Sequence, residues 1–290
     1  MRWREIEYAK AGDHHIAFRE VVGDEHGDSE IVMVNGAFFP MDSLAEDPIA
    51  ARLVQGLAEL GRLVMFDRRG VALSDPITDW DTPLLDQWAE DLAAVIEAAG
   101  CDRPSVFSWH SMGIARACAI SHPALIDRLV LFNPSSEYTE ADRGWVEEFR
   151  EHFQRMQAGE GDRNDDRHAW ALSRRHDPAF VAWSDAAGRA GASPAQASRL
   201  AAAQAGPSPD NARVGTPTLV ITRTSDGYVI PAEFYQRAGH QIPAAELVML
   251  PPGDVSVFGL GIDDVLAETS RYLTGRVRVP APGRQVAVIM

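Results

Sequence analysis

The chain has 290 residues, 46% of them hydrophobic, which is enough to bury a large core, and a formal net charge of -15. That acidic balance, with no block of Lys or Arg, argues against nucleic acid or an anionic membrane surface as partner. The two cysteines, Cys101 and Cys118, come with no Cys/His spacing that suits a metal, so free thiols in a reducing compartment and no metal or cofactor are expected.

The opening MRWREIEYAK holds no apolar stretch of signal-peptide length. No run approaches the roughly 18 apolar residues of a membrane helix. Together these predict a soluble, cytoplasmic protein. Residues 5–9 and 15–22 read as two strands joined by a turn at Gly12-Asp13. EIVMVN, residues 30–35, is a continuous apolar strand of the kind buried on both faces. After the loop GAFFPMDSL, Asp47 as N-cap and Pro48 at the first helical position start a helix. RLVMF, residues 62–66, is the next strand and ends in the polar turn Asp67-Arg68-Arg69-Gly70. Residues 87–99 are an amphipathic helix closed by Gly100.

The stretch PSVFSWHSMGIARACAISHP, residues 104–123, carries the chemistry. Ser105-Val106-Phe107 reads as a buried strand, followed by a sharp turn over Trp109-His110-Ser111-Met112-Gly113. A helix starts at once, with Ile114, Ala117, Cys118 and Ile120 at helical spacing. A serine on such a turn is a nucleophile elbow, which holds Oγ over the sheet end and aims the next backbone N–H at an oxyanion. The usual pattern is G-x-S-x-G. Ser111, Met112 and Gly113 keep its last three elements, but Trp109 stands where the first glycine belongs.

RLVLF, residues 128–132, is another buried strand. The alternation of strand and helix predicts a parallel sheet with helices on both faces. It stops over residues 137–205, a charged, alanine-rich segment with helical apolar spacing at Trp145, Phe149 and Phe153 and again around Trp170, Phe180 and Trp183. This segment is expected to be an inserted helical lid over the sheet edge. Alternation resumes with TLVIT (218–222), a helix over 231–240, the strand ELVML (246–250) and a last helix over 263–273. The expected organisation is one domain over 1–274, followed by a linker and the start of a strand over 275–290.

In this fold class, α/β with a nucleophile elbow, the triad follows the chain order serine, acid, histidine. The histidine takes the serine proton, the acid orients the imidazole, and backbone amides hold the oxyanion. Asp226, in the loop after TLVIT, suits the acid. The amides of Met112 and of Ala37 or Phe38 suit the oxyanion hole. The base is missing. It belongs just after ELVML, where the chain reads PPGDVSVF, and Val255 stands at its position. The last histidine of the chain is His240, before that strand. A serine without a base is a poor nucleophile at neutral pH. The side chain of His110 is expected to point away across the turn. His168 and His176 lie in the inserted segment and are the other candidates for a substitute base.

Several stretches carry a specific resemblance: IVMVNGAFFPMDSLAEDP, LVMFDRRGVALSDP, WAEDLAAVIEAAG, DPAFVAW and PTLVITRTSD. Over nearly the whole chain it resembles the α/β-hydrolase-fold modules at the N-terminus of actinobacterial class III adenylate/guanylate cyclases. The block from Phe66 to Gly70 with Leu73-Ser74-Asp75 is its most specific part. The resemblance implies an α/β-hydrolase fold with a mostly parallel sheet, Ser111 at the nucleophile position, Asp226 at the acid position and Val255 where intact members have histidine. It also implies that GRVRVPAPGRQVAVIM is the linker and first strand toward a cyclase module, cut before any metal-binding Asp. Some cyclase-linked members lack a complete triad, so the resemblance favours a ligand-binding or regulatory role.

Three functions are therefore in view. The first is an impaired hydrolase that binds a small apolar or ester-like molecule in a pocket drawn from Phe38, Phe39, Met41, Trp109, Trp145, Trp170, Val255 and Phe258. The second is an active serine esterase or lipase-like hydrolase with a displaced base. The third is a structural module, a homodimer among its forms, whose pocket is filled by its own side chains.

Overall fold

The computed structural model describes residues 1–276 except 25–26, 37, 111–112, 149–150, 152–168, 205–207, 225–229 and 244. The elements follow the apolar runs of the sequence. Strands β1 (Arg2–Trp3), β2 (Glu7–Ala11), β3 (His14–Val22), β4 (Ser29–Val34) and β5 (Gly61–Phe66) come first. Strands β6 (Ser105–Trp109), β7 (Arg128–Phe132), β8 (Thr218–Thr222) and β9 (Glu246–Met249) complete the sheet. Its order is β1-β3-β5-β4-β6-β7-β8-β9, with β2 paired to β3. Strands β4 to β9 pair in parallel, and β1, β2 and β3 are antiparallel.

Helices α1 (Pro48–Leu60), α2 (Leu84–Ala98), α3 (Ile114–Ser121), α4 (Pro178–Gly191), α5 (Pro194–Gln204), α6 (Ala232–Gln241) and α7 (Ile262–Thr274) flank the sheet. Strand side chains alternate between two cores. Val32, Val34, Val64, Phe66 and Val106 face α2 and α3 in one core. Ile31, Met33, Leu63, Met65, Phe107 and Trp109 face α1 and α7 in the other. Both faces are covered, so the central strands are apolar throughout rather than alternating.

The predicted boundaries shift in places. Strand β6 runs on to Trp109, because Trp109 pairs with Phe132 of β7 and the sharp turn begins only after it. Helix α2 starts at Leu84, three residues early, with Pro83 as its N-cap. Asp47 caps α1 as expected, its carboxylate accepting from Ile49 N at 3.1 Å and Ala50 N at 2.9 Å.

Between β7 and β8 the described residues form helices and 3-10 turns, and no strand is found among them. Phe149, Phe153 and His168 of that stretch lie outside the described residues, as does the tail from 277 with its Val286–Met290 run. No helix among the described residues is long and apolar enough to cross a membrane. Cys101 and Cys118 are both free.

Candidate active site

Strand β6 and helix α3 set the elbow. Ser111 and Met112 lie outside the described residues, as do Ala37 and Asp226. The flanks fix the geometry. His110 leaves the strand at φ +45° and Gly113 enters the helix at φ +95°. Gly113 has no substitute: beyond its left-handed φ, an added Cβ would lie 2.4 Å from Pro209 Cδ. Gly36, at the end of β4, is held just as closely, since its Cβ would meet the Trp109 carbonyl oxygen at 2.1 Å. The loop that carries the expected oxyanion donors therefore lies directly against the elbow.

The Asp67–Asp75 block holds that loop in place. The buried carboxylate of Asp67 accepts from Met41 N at 2.7 Å and from Leu73 N at 3.3 Å. Burial outweighs these two bonds and pushes its carboxyl up to about 6. Arg68 lies between the rings of Phe38 and Trp88, 4.9 and 5.1 Å from their centroids, and donates to the Gly36 carbonyl at 3.3 Å. Arg69 reaches the buried Asp91 of α2 at 2.5 Å. The block is thus a scaffold for residues 36–41.

Strand periodicity decides what Trp109 does. It points to the same face as Phe107 and joins a cluster of rings. Its ring stands perpendicular to Phe258 at 5.0 Å and lies 6.4 Å from Trp170. Phe39 packs 5.5 Å from Phe258, 6.2 Å from Trp170 and 5.3 Å from Trp183. Phe180 closes the cluster behind Trp170 at 5.7 Å. Met41 is buried in the same core. Trp109 and Phe258 are buried, while Phe39 and Trp170 keep some accessible surface.

Trp145 does not join this wall. It packs on Phe234 of α6 at 4.9 Å and on Tyr138 at 5.7 Å. Asp142 holds it there, accepting from Trp145 Nε1 at 3.0 Å and pairing with Arg237 of α6 at 2.7 Å.

Val255 is buried at 1% exposure, and its backbone is committed as well. Its carbonyl accepts from Trp109 Nε1 at 3.4 Å and from Asn133 Nδ2 at 2.9 Å. Asn133 also accepts from Arg223 N at 2.9 Å, so one buried amide ties the ends of β7 and β8 to Val255, the residue expected at the base position. The imidazole of His110 packs against the rings of Trp109 at 5.3 Å and Tyr235 at 5.4 Å, and burial pushes it down to about 4. His176 is exposed and lies 3.1 Å from Arg175 Nε.

Two contacts that sequence reasoning missed pin the inserted segment to this wall. Arg174 pairs with the buried Asp47 at 2.6 and 3.0 Å and donates to the Phe258 carbonyl at 2.9 Å. Asp254 accepts from Ser173 N at 3.0 Å, from the Ser173 hydroxyl, and from Leu260 N at 2.7 Å. The one local signal is the carboxylate of Asp254 next to Val255 in PPGDV. Among the described residues no group of three or more His, Cys, Asp or Glu side chains could hold a metal ion.

Solved structures with the same architecture are hydrolases by description. A hydrolase from Pseudomonas aeruginosa is 21% identical with a TM-score of 0.69, covering 93% of this chain and 98% of that one. An esterase from a Rhodococcus species is 19% identical with a TM-score of 0.68, over 93% and 98% of the two chains. An enol-lactonase from Burkholderia xenovorans is 19% identical with a TM-score of 0.67, over 91% and 97%. At these identities the likeness shows the fold alone. No curated protein matches the chain. Residues 31–268 match the sequence model described as the alpha/beta hydrolase family. The chain has the α/β-hydrolase fold, a mostly parallel sheet flanked by helices, and belongs to the alpha/beta hydrolase family.

Proposed function

We propose that this is an impaired hydrolase: a hydrolase-fold module that binds a small apolar or ester-like molecule beside Ser111 and does not turn it over. The observation that carries this reading is Val255. At the position of the triad imidazole stands a buried aliphatic side chain that can neither accept nor donate a proton. The only imidazole described at the elbow, that of His110, is buried against the rings of Trp109 and Tyr235. Losing a triad member costs on the order of 10⁴ in rate, with the residual catalysis coming from the oxyanion hole and binding.

Ligand binding draws support from the wall itself. Phe39 and Trp170 keep accessible surface above a buried floor of Trp109, Met41 and Phe258. A small apolar ligand placed there gains from area removed from water without any reacting group. The segment 137–205 is the lid of this site. A regulatory role beside a cyclase module in a longer chain, with the homodimer such a role would suit, rests on the sequence resemblance alone.

The second reading is a working serine esterase with a displaced base, and the neighbours described as an esterase and an enol-lactonase favour it. Covalent labelling by a fluorophosphonate probe separates the two. An impaired site leaves Ser111 unlabelled at probe concentrations that saturate an ordinary serine esterase. Labelling that disappears in Ser111→Ala points to the displaced base instead.

A further inference from the structure

On the face of the sheet opposite the aromatic wall, α3 carries Arg116. Its side chain is completely buried, at 0% exposure. All the partners of its guanidinium are neutral. Nη1 donates to Asn211 Oδ1, and Nη2 donates to Ser135 Oγ at 3.0 Å and to Ser208 Oγ at 3.4 Å. Among the described residues no carboxylate lies within ion-pair distance of it, and its Nε has no hydrogen-bond partner. Three other buried arginines, Arg69, Arg174 and Arg223, each pair with an aspartate. Moving a charge out of water without a counter-charge costs several kcal/mol, on the order of the whole stability of a small domain.

Beside this charge is a cavity of about 10 Å³, lined by Ser108, His110, Gly113, Arg116, Pro134 and Ser135 among others. That is room for one body the size of a water molecule. His110 Nε2 is buried there with no hydrogen-bond partner. Gly113, which brings no side-chain cap to α3, and Ala115 of its first turn line the same cavity. A buried guanidinium and an unpartnered imidazole nitrogen, a donor in the tautomer that protonates Nε2, thus meet at one small cavity beside the start of α3.

We infer that this cavity is a binding site for a single halide-sized anion, which supplies the counter-charge that Arg116 lacks. Chloride is the fitting class. Sulfate and phosphate are too large for the space, and a carboxylate ligand would need an open path for its carbon. The ion would sit behind the elbow, one residue from Ser111, bracing the turn from the side away from any substrate. A water molecule satisfies the donors but leaves the charge uncompensated, and it is the rival occupant.

The test uses the whole chain. Thermal unfolding is followed as chloride replaces gluconate at constant ionic strength, for the wild type, Arg116→Met and Ser135→Asp. Wild type should gain a few degrees with chloride, because a ligand that binds only the folded state stabilises it by mass action. Ser135→Asp places a carboxylate against Arg116 and should lose that gain, and so should Arg116→Met if it folds. Independently of any variant, crystals grown with bromide should show anomalous scattering in the cavity. A wild-type unfolding temperature indifferent to chloride, or a bromide crystal with no anomalous peak at the site, leaves water as the occupant and overturns the inference.

Discussion

The indole Nε1 of Trp109 donates to the main-chain carbonyl of Val255 at 3.4 Å. In the proposed reading Trp109 takes the place of the first elbow glycine and Val255 that of the triad imidazole, so the two departures are bound to each other. The Trp109 ring, perpendicular to Phe258 at 5.0 Å, adds a third member to the unit.

Restoring one member alone should therefore achieve little. Val255→His puts an imidazole into a buried aromatic site with no shell to orient it. Trp109→Gly empties a buried indole site and should cost roughly 3–5 kcal/mol of stability. The double variant should hydrolyse simple esters faster than either single one, because the two sites share one space and their effects need not add. Ester turnover of the three folded proteins checks this. If none gains activity over wild type, the base at 255 is not the limiting defect.

The pair between Arg174 and Asp47 holds the inserted segment to the start of α1, and its two halves are unequal. Without Arg174, the Asp47 carboxylate still accepts two amides at the positive end of a helix. Without the Asp47 charge, Arg174 keeps one carbonyl and a longer contact to Asp177 at 3.4 Å. Asp47→Asn retains the cap but strands the guanidinium, so it should cost more than Arg174→Met, by roughly 1–2 kcal/mol of a total near 3. Equilibrium urea unfolding of both variants decides it, and the reverse order would show that leaving the Asp47 carboxylate without its partner costs more than stranding the guanidinium.

Asp67 gives a pH signature. Its carboxyl titrates at about 6 in the fold because burial disfavours the charge. An unfolded aspartate titrates near 3.9. Between these values the folded chain binds more protons than the unfolded one, so stability falls as pH rises from about 4 to 6. Asp67→Asn keeps an acceptor for Met41 N and removes the titration. The variant should gain on wild type as pH is raised from 4.5 to 7. Asp91, also pushed up to about 6 by burial, acts in the same direction in both proteins and drops out of the comparison. Parallel stability curves for the two proteins would place the Asp67 titration elsewhere.

Much of the fold was legible because the central strands are buried on both faces. Runs such as EIVMVN and TLVIT need no tertiary information to be recognised, and Asp47-Pro48 marks a helix start by local chemistry alone. Trp109 showed as an anomaly in the elbow pattern, but its direction depended on β6 running two residues further than its apolar run suggests. Trp145 was grouped with the pocket because helical spacing says which face is apolar, not what it meets. Phe234, on which it packs, and Arg237, which holds Asp142, come from a helix some 90 residues on. Arg116 was passed over for a related reason. In IARACAIS the apolar positions define the helix, and an arginine among them reads as a solvated face until the packing of Asn211 and Ser135 is seen.

The most direct test of the central claim is ester turnover by the wild type and by Ser111→Ala, measured on short-chain and medium-chain p-nitrophenyl esters at neutral pH. A site without its base predicts rates that are close to background and indistinguishable between the two proteins. Robust wild-type turnover that vanishes in Ser111→Ala would contradict the account and show that another group serves as the base.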